Sequence, residues 1–236
     1  MRTSSAALLT GVSTLFLLVT PSAPATAERP RDTAPTALWA HVLRPVTARQ
    51  APGFTARPVS RVQPATPEGE TNLLLILRTT SDSSQRTWVR VRLAILPNSA
   101  TGWVPQDALG AFHAVRTRLR IDRKAFRAVL WKGGRLVFRA PVGVGERRWP
   151  TPRGEFYVRE KLAGFGDPFY GPVAFGTSAR SPILTDWPGG GFVGIHGTDR
   201  PDLIPGQISH GCIRMRNADI RKLARLMPLG TPITIV

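Results

Sequence analysis

Three features of this 236-residue sequence predict a mainly β fold. Residues 88–96 alternate, with Val89, Val91, Leu93 and Ile95 on one face and Arg90 and Arg92 on the other, the period of a half-buried strand. Short strand-like runs separated by turns recur from about residue 38 to the end, with no long helical period between them. One helical period does occur, late: Ile220, Leu223, Ala224 and Met227 repeat at i, i+3, i+4, i+7. An apolar fraction of 42% is ordinary for a chain that buries a core, so wholesale disorder is not expected.

The elements follow in chain order. Residues 1–27 carry Arg2, an apolar stretch from about Ala6 to Val19, and Ala25-Thr26-Ala27, the small-x-small pattern of a signal peptidase site. The apolar stretch is too short to span a bilayer comfortably, so a signal peptide cleaved after Ala27 is expected. No cysteine stands at a lipoprotein position, and no later segment is suited to crossing a membrane, so the only membrane contact expected is through the signal before cleavage. Residues 28–37 are Pro-rich and charged, a flexible leader. Asn72–Arg78 is a continuous apolar run, and Gly102-Trp103-Val104-Pro105 follows a short turn. Together residues 38–110 resemble a small β-barrel of the bacterial SH3-like type, with Arg49–Glu70 as a long proline-rich loop of that barrel.

A second block spans residues 115–236. Arg116–Ile121, Phe126–Trp131 and Arg135–Ala140 are strands, the last two flanking a Lys132-Gly133-Gly134 hairpin turn. Glu155–Lys161 and Gly191–Ile195 add further β structure. Asn217 is placed to cap the one helix, Asp219 sits in its first turn, and Pro228 with Gly230 end it. Pro232–Val236 is a final apolar strand.

Charge and cysteine content narrow the chemistry. Thirty-two Lys and Arg against 15 Asp and Glu give +17, a field that gathers polyanions. Export to the periplasm, cell wall or medium removes nucleic acid from the expected partners and leaves anionic wall polymers such as teichoic acids, or simply a solvated arginine-rich surface. The single cysteine, Cys212, excludes an internal disulfide, and a lone thiol in an oxidising compartment is a liability unless it is used. Zinc is disfavoured: His196, His210 and Cys212 are close in sequence, but no Cys-x-x-Cys, His-x-x-x-His or carboxylate pair completes a tetrahedral set. A nucleophile asks for less, namely a base within reach of the thiol. His196 ends a strand 16 residues before Cys212, and the loop between them is long enough to bring strand ends side by side. Gly211 allows close backbone approach, the amides of Gly211 and Cys212 suit an oxyanion hole, and Arg214 shares the face of Cys212, where it can hold a carboxylate. Singly, each residue is equally at home as a core cysteine, a structural histidine or a surface arginine; jointly, in an exported chain with one thiol, they point to catalysis.

These residues also carry a resemblance. Ile195-His196-Gly197-Thr198 followed by Ser209-His210-Gly211-Cys212-Ile213-Arg214-Met215 resembles the active-site signature of the L,D-transpeptidases (YkuD-type catalytic domain). Thr151-Pro152-Arg153-Gly154-Glu155-Phe156, after the Gly-bearing Val142–Gly145, resembles that family's Thr-Pro-x-Gly-x-Phe block. The resemblance covers residues 115–236; the loop between His196 and Ser209 is at the short end of the family range, and some members carry Asn where this chain has Arg214. It implies a β-sandwich with a short helix after the catalytic cysteine and no metal or organic cofactor. It further implies that Cys212 attacks the carbonyl of the third, diamino-acid residue of a peptidoglycan stem and expels the terminal D-alanine. His196 would be the base, Gly197 would orient it through its carbonyl, and His210, Gly211 and Cys212 would supply oxyanion amides. A second stem amine would then give a 3→3 cross-link, and water a carboxypeptidase. Arg214, Ser209, Tyr170 and Trp187 are the candidate substrate-binding side chains. Other readings are a protein-to-wall attachment enzyme and a catalytically inactive wall-binding module; a sortase is disfavoured because its arginine stands well after the cysteine on another strand.

Overall fold

The computed structural model describes residues 37–163, 166–184 and 191–236. The expected signal peptide at 1–27, nearly all of the leader at 28–37, and Trp187 lie outside the described residues.

A first sheet contains β1 (Ala37–His41), β2 (Val46–Arg49), β3 (Pro58–Val62), β4 (Leu73–Ser81), β5 (Thr87–Arg92), β6 (Thr101–Pro105) and β7 (His113–Val115), in the order β3-β2-β6-β5-β4-β1-β7. The alternation that predicts β5 is realised: Val89 and Val91 are fully buried and pack with Ala48, Leu74, Ile76 and Val104 in one core, while Arg90 faces solvent. The proline-rich stretch Arg49–Glu70 is not all loop. Pro58–Val62 pairs antiparallel with β2, with Val46 opposite Val62. Pro58 gives up no ladder hydrogen bond it is needed for, because β3 is at the sheet's edge, where a strand tolerates proline.

The second sheet follows, comprising β8 (Thr117–Asp122), β9 (Arg127–Lys132), β10 (Arg135–Pro141), β11 (Gly143–Gly145), β12 (Gly154–Ala163), β13 (Val173–Arg180), β14 (Phe192–His196), β15 (Gly206–Ser209), β16 (Ile213–Arg214) and β17 (Pro232–Ile235). Its order is β10-β9-β8-β17-β12-β13-β14-β16-β11-β15. The β9–β10 hairpin turns at Gly133 and Gly134, whose φ of 55° and 74° belong to the left-handed region that two-residue hairpins require. Strand β13, which no sequence feature announces, lies at the centre between β12 and β14. Its Val-Ala-Phe-Gly-Thr-Ser-Ala-Arg sequence is poor in β-branched residues because tight neighbours leave room for little else. A Cβ at Gly176 would meet the Glu160 side chain at 2.1 Å. One core, from Leu119 and Ile121 through Phe156, Phe175 and Ile195 to Ile213 and Met215, fills the sheet, and the helix α1 (Asn217–Leu226) closes it with Ile220 and Leu223.

The sheets are joined by a third apolar cluster of Leu73, Leu75 and Tyr157, backed by Trp39 and Leu229. Here the unbroken apolar run of β4 finds its reason. Leu74 and Ile76 face the core of their own sheet while Leu73 and Leu75 face the second sheet, so both faces of the strand are covered. Polar ties accompany it: the Tyr157 hydroxyl donates to the Leu73 carbonyl at 3.1 Å, and Asn98 bonds both the amide (2.9 Å) and the carbonyl (2.7 Å) of Arg180.

Candidate active site

Strands β14 and β16 run parallel, with Ile195 opposite Ile213 and His196 opposite Arg214. Side chains alternate along each strand, so Ile195 and Ile213 enter the core and His196 and Arg214 take the other face. Cys212 lies two residues before Arg214 and therefore diagonally across from His196. Between them is Gly194, whose N–H donates to Cys212 Sγ at 3.4 Å. A Cβ on Gly194 would stand in ordinary contact with both groups, 3.9 Å from His196 Cδ2 and 4.0 Å from Cys212 Sγ, so this residue adjoins the imidazole and the thiol alike. Both residues line one cleft with Ser209, His210, Arg214 and Tyr170.

The imidazole is fixed and neutral. His196 is 2% exposed, and its Nδ1 lies 2.7 Å from the Gly197 carbonyl, which can only accept; the proton therefore sits on Nδ1 and Nε2 keeps its lone pair. Burial lowers its pKa to about 4, with the Arg214 charge adding to that and the Gly197 carbonyl opposing it. Tyr170 meets the ring edge-on at 5.1 Å. Gly197 has no room for a side chain, since a Cβ there would meet Asn217 Oδ1 at 2.3 Å and Gly171 Cα at 3.0 Å. The same Asn217 oxygen accepts from the Thr198 amide at 3.0 Å. This corrects the expected helix cap: Asn217 is the first helical residue and its side chain holds the loop after the histidine instead of the helix's own amides.

The thiol is also neutral at rest. Burial pushes the pKa of Cys212 up, and the Gly194 amide and Arg214 oppose that rise. Arg214, 7% exposed, lies with its guanidinium 4.3 Å from the centre of the Phe169 ring, and its Nε has no hydrogen-bond partner among the described residues. Its N–H edge thus remains available to an anion inside the cleft.

The turn carrying the thiol is clamped from both sides. Thr151 Oγ1 accepts the Gly145 amide at 2.8 Å and donates to the Gly211 carbonyl at 2.8 Å. Gly211 has a φ of 117°, a conformation that suits glycine. Its amide, expected among the oxyanion donors, instead donates to Ser209 Oγ at 3.1 Å, and Ser209 Oγ donates to the Cys212 carbonyl at 2.6 Å. Ser209, a candidate for binding substrate, thus braces the turn internally. The His210 ring packs on Trp149 at 4.0 Å between centroids, with Arg148 over that ring at 3.6 Å. Thr151, Gly194 and Trp149 are functional neighbours to which sequence reasoning gave no role. Only Thr151 had a signal, its place in the Thr-Pro-x-Gly-x-Phe block. No three His, Cys, Asp or Glu side chains gather to hold a metal among the described residues.

A family model describing the L,D-transpeptidase catalytic domain, YkuD, matches residues 116–235. The chain is 37% identical over 106 residues to the YkuD protein of Bacillus licheniformis, covering 45% of this chain and 57% of that one. It is 38% identical over 95 residues to YkuD of Bacillus subtilis strain 168, covering 40% and 51%. Both relatives are named as L,D-transpeptidases, and this chain spans about half of their length. An L,D-transpeptidase of Enterococcus faecium of known structure shares 25% identity over 51% of this chain and 50% of that chain, with a TM-score of 0.40.

Proposed function

This chain belongs to the L,D-transpeptidase family through a YkuD-type catalytic domain at residues 116–235, and on that premise we propose that it is an exported cysteine acyltransferase that cross-links peptidoglycan stems. Supporting the reading above all is the diagonal placement of Cys212 and His196 on one cleft wall, with Gly194 next to both and donating its N–H to the thiol.

With both groups neutral at rest, the proton moves as substrate is attacked. Cys212 Sγ adds to the carbonyl carbon of the third stem residue while its proton passes to His196 Nε2; the tetrahedral adduct collapses to a thioester, and His196 returns the proton to the departing D-alanine amine. A side-chain amine of a second stem then attacks the thioester, loses a proton to His196, and regenerates the thiol with a 3→3 amide bond formed. The Gly197 carbonyl holds the ring through Nδ1 and leaves Nε2 free to take the thiol proton, and the Gly194 amide, a donor to Sγ, can receive negative charge on sulfur. Arg214 is the charge for a substrate carboxylate, with Tyr170 beside the base. No cofactor enters any step. Export is supported by the pattern of residues 1–27, and the +17 charge suits anionic wall polymers as a second partner.

The test is incubation with a disaccharide-tetrapeptide followed by mass spectrometry. The expected product is a dimer lacking one D-alanine, and Cys212→Ala is expected to yield none. Tripeptide alone would assign a carboxypeptidase instead, and full activity in Cys212→Ala would overturn the mechanism.

A further inference from the structure

Away from the catalytic cleft, a cavity opens between the two sheets, and its lining is unusual in charge. Arg61, Arg159 and Arg180 line it together with the polar side chains of Gln63 and Asn72, and no aspartate or glutamate does among the described residues. Arg159 is the residue that matters most. It stands in β12 where pairing with β13 slips: Val158 is opposite Thr177 and Glu160 opposite Gly176, so Arg159 is the extra residue of a bulge. A bulge re-aims a side chain, and here it turns an arginine inward. Arg159 is 3% exposed, and its Nε and Nη1 have no hydrogen-bond partner among the described residues.

Burying a guanidinium with unused donors is costly, and proteins ordinarily pair such a group. The cation is partly compensated: its centre lies 4.1 Å from the centroid of the Phe192 ring, on which the Arg180 guanidinium also lies at 4.6 Å. Stacking uses the face of the guanidinium plane, whereas its N–H groups point outward in that plane, where a ring cannot serve them. The neighbouring carboxyl, that of Glu160, is within electrostatic reach of Arg159 but accepts its hydrogen bond from Thr66 Oγ1 at 2.9 Å and does not line the cavity. A buried guanidinium stacked on a ring, with two in-plane donors unmet among the described residues and no carboxylate lining the cavity it faces, is a fork that fits two oxygens of one anion.

We propose that the cavity between the sheets is a binding site for an oxyanion, a carboxylate or phosphate group of a ligand, gripped by the fork of Arg159 with Arg61 supplying further charge. The site is separate from the thiol chemistry, although Phe192 walls both the cavity and the catalytic cleft.

The test uses the full chain and does not depend on acyl transfer. Thermal unfolding is followed while sodium phosphate or sodium acetate is titrated against sodium chloride at matched ionic strength, which cancels general screening of a chain with net charge +17. A saturable rise in Tm with phosphate, acetate or both is expected, and the stronger of the two identifies the ligand group as phosphoryl or carboxylate. Arg159→Gln should weaken that binding by about tenfold or more, as loss of a charge-assisted pair does. It should also raise Tm without anion, since a buried guanidinium with two unmet donors is gone. Arg135→Gln, an exposed site outside the cavity, should leave the response intact. If Arg159→Gln does not fold, Arg61→Gln, at the cavity rim, is expected to weaken the response several-fold. Identical behaviour of both anions and chloride, or an unchanged response in the Arg159 or Arg61 variant, overturns the proposal.

Discussion

At the scale of single residues, burial acts on the two titrating groups of the cleft in opposite directions on the pH axis and with one result. It raises the thiol of Cys212 and lowers the imidazole of His196 to about 4, so both are uncharged near neutrality. A pre-formed thiolate–imidazolium pair is therefore not the resting state, and the base remains competent far below the ordinary histidine value of 6.5. Acyl transfer should lose activity as pH falls through about 4, when Nε2 becomes protonated, and a kcat/KM profile with its acid limb near 6.5 would contradict this placement. Linkage runs the same way. The unfolded histidine takes up its proton first, so the stability due to the neutral imidazole is present above pH 6.5 and lost as pH falls towards about 4. Circular dichroism across that window separates lost protonation state from lost fold. Spacing, residue type and the family resemblance together singled out Cys212, His196 and Arg214, which the fold sets on one cleft. The second jobs of Ser209 and Asn217 were not legible in the sequence, since a hydroxyl or amide oxygen serves whichever amide the fold brings near, here Gly211 and Thr198.

Among the elements, the loop after β11 does for the nucleophile turn what Gly197 does for the base. Thr151 satisfies a buried amide of Gly145 and the carbonyl of Gly211 with one hydroxyl. Thr151→Val keeps the shape and leaves both groups unpaired, which should cost about 1–3 kcal/mol of stability and slow Cys212 acylation about tenfold or more. Thr151→Ser should restore both. Denaturant unfolding and the rate of thioester formation, followed by mass, check the pair of variants; normal acylation in Thr151→Val would show that the clamp is not needed. Strand β8 was predictable within a residue of its ends, and β5 at its start, whereas the alternation read through residue 96 overran the end of β5 at Arg92 by four residues. Strand β13 was not predictable, because its Gly-Thr-Ser-Ala interior lacks an apolar alternation and Gly176 answers to the Glu160 side chain against it, and β3 was hidden by prolines that an edge position tolerates.

Over the whole molecule, Tyr157 links the sheets. It is fully buried, its hydroxyl donates to Leu73 of the first sheet, and burial pushes its pKa up to about 12. The unfolded phenol ionises first, near 10, so this contribution to stability is intact below pH 10 and lost as pH rises towards about 12. Tyr157→Phe removes one neutral hydrogen bond, at a cost of about 1 kcal/mol at neutral pH, and should flatten the loss of stability between pH 10 and 12. Denaturant midpoints measured at pH 8 and 11 for both proteins decide it; parallel losses would mean that Tyr157 does not couple the sheets.

What the sequence determined by itself is the set of local periodicities and close-spaced motifs: a mainly β chain, one late amphipathic helix, and a lone thiol beside a glycine with a histidine 16 residues upstream. Those depend on neighbours along the chain, whose geometry is set by the period of a strand or helix. Tertiary structure decided what depends on neighbours across it. The parallel register of β14 and β16 sets Cys212 diagonal to His196, Thr151 reaches Gly211 across 60 residues, and the apolar run of β4 divides between two cores. The bulge at Arg159 leaves buried donors facing a cavity for the same reason: pairing between distant strands, and not local preference, aims a side chain.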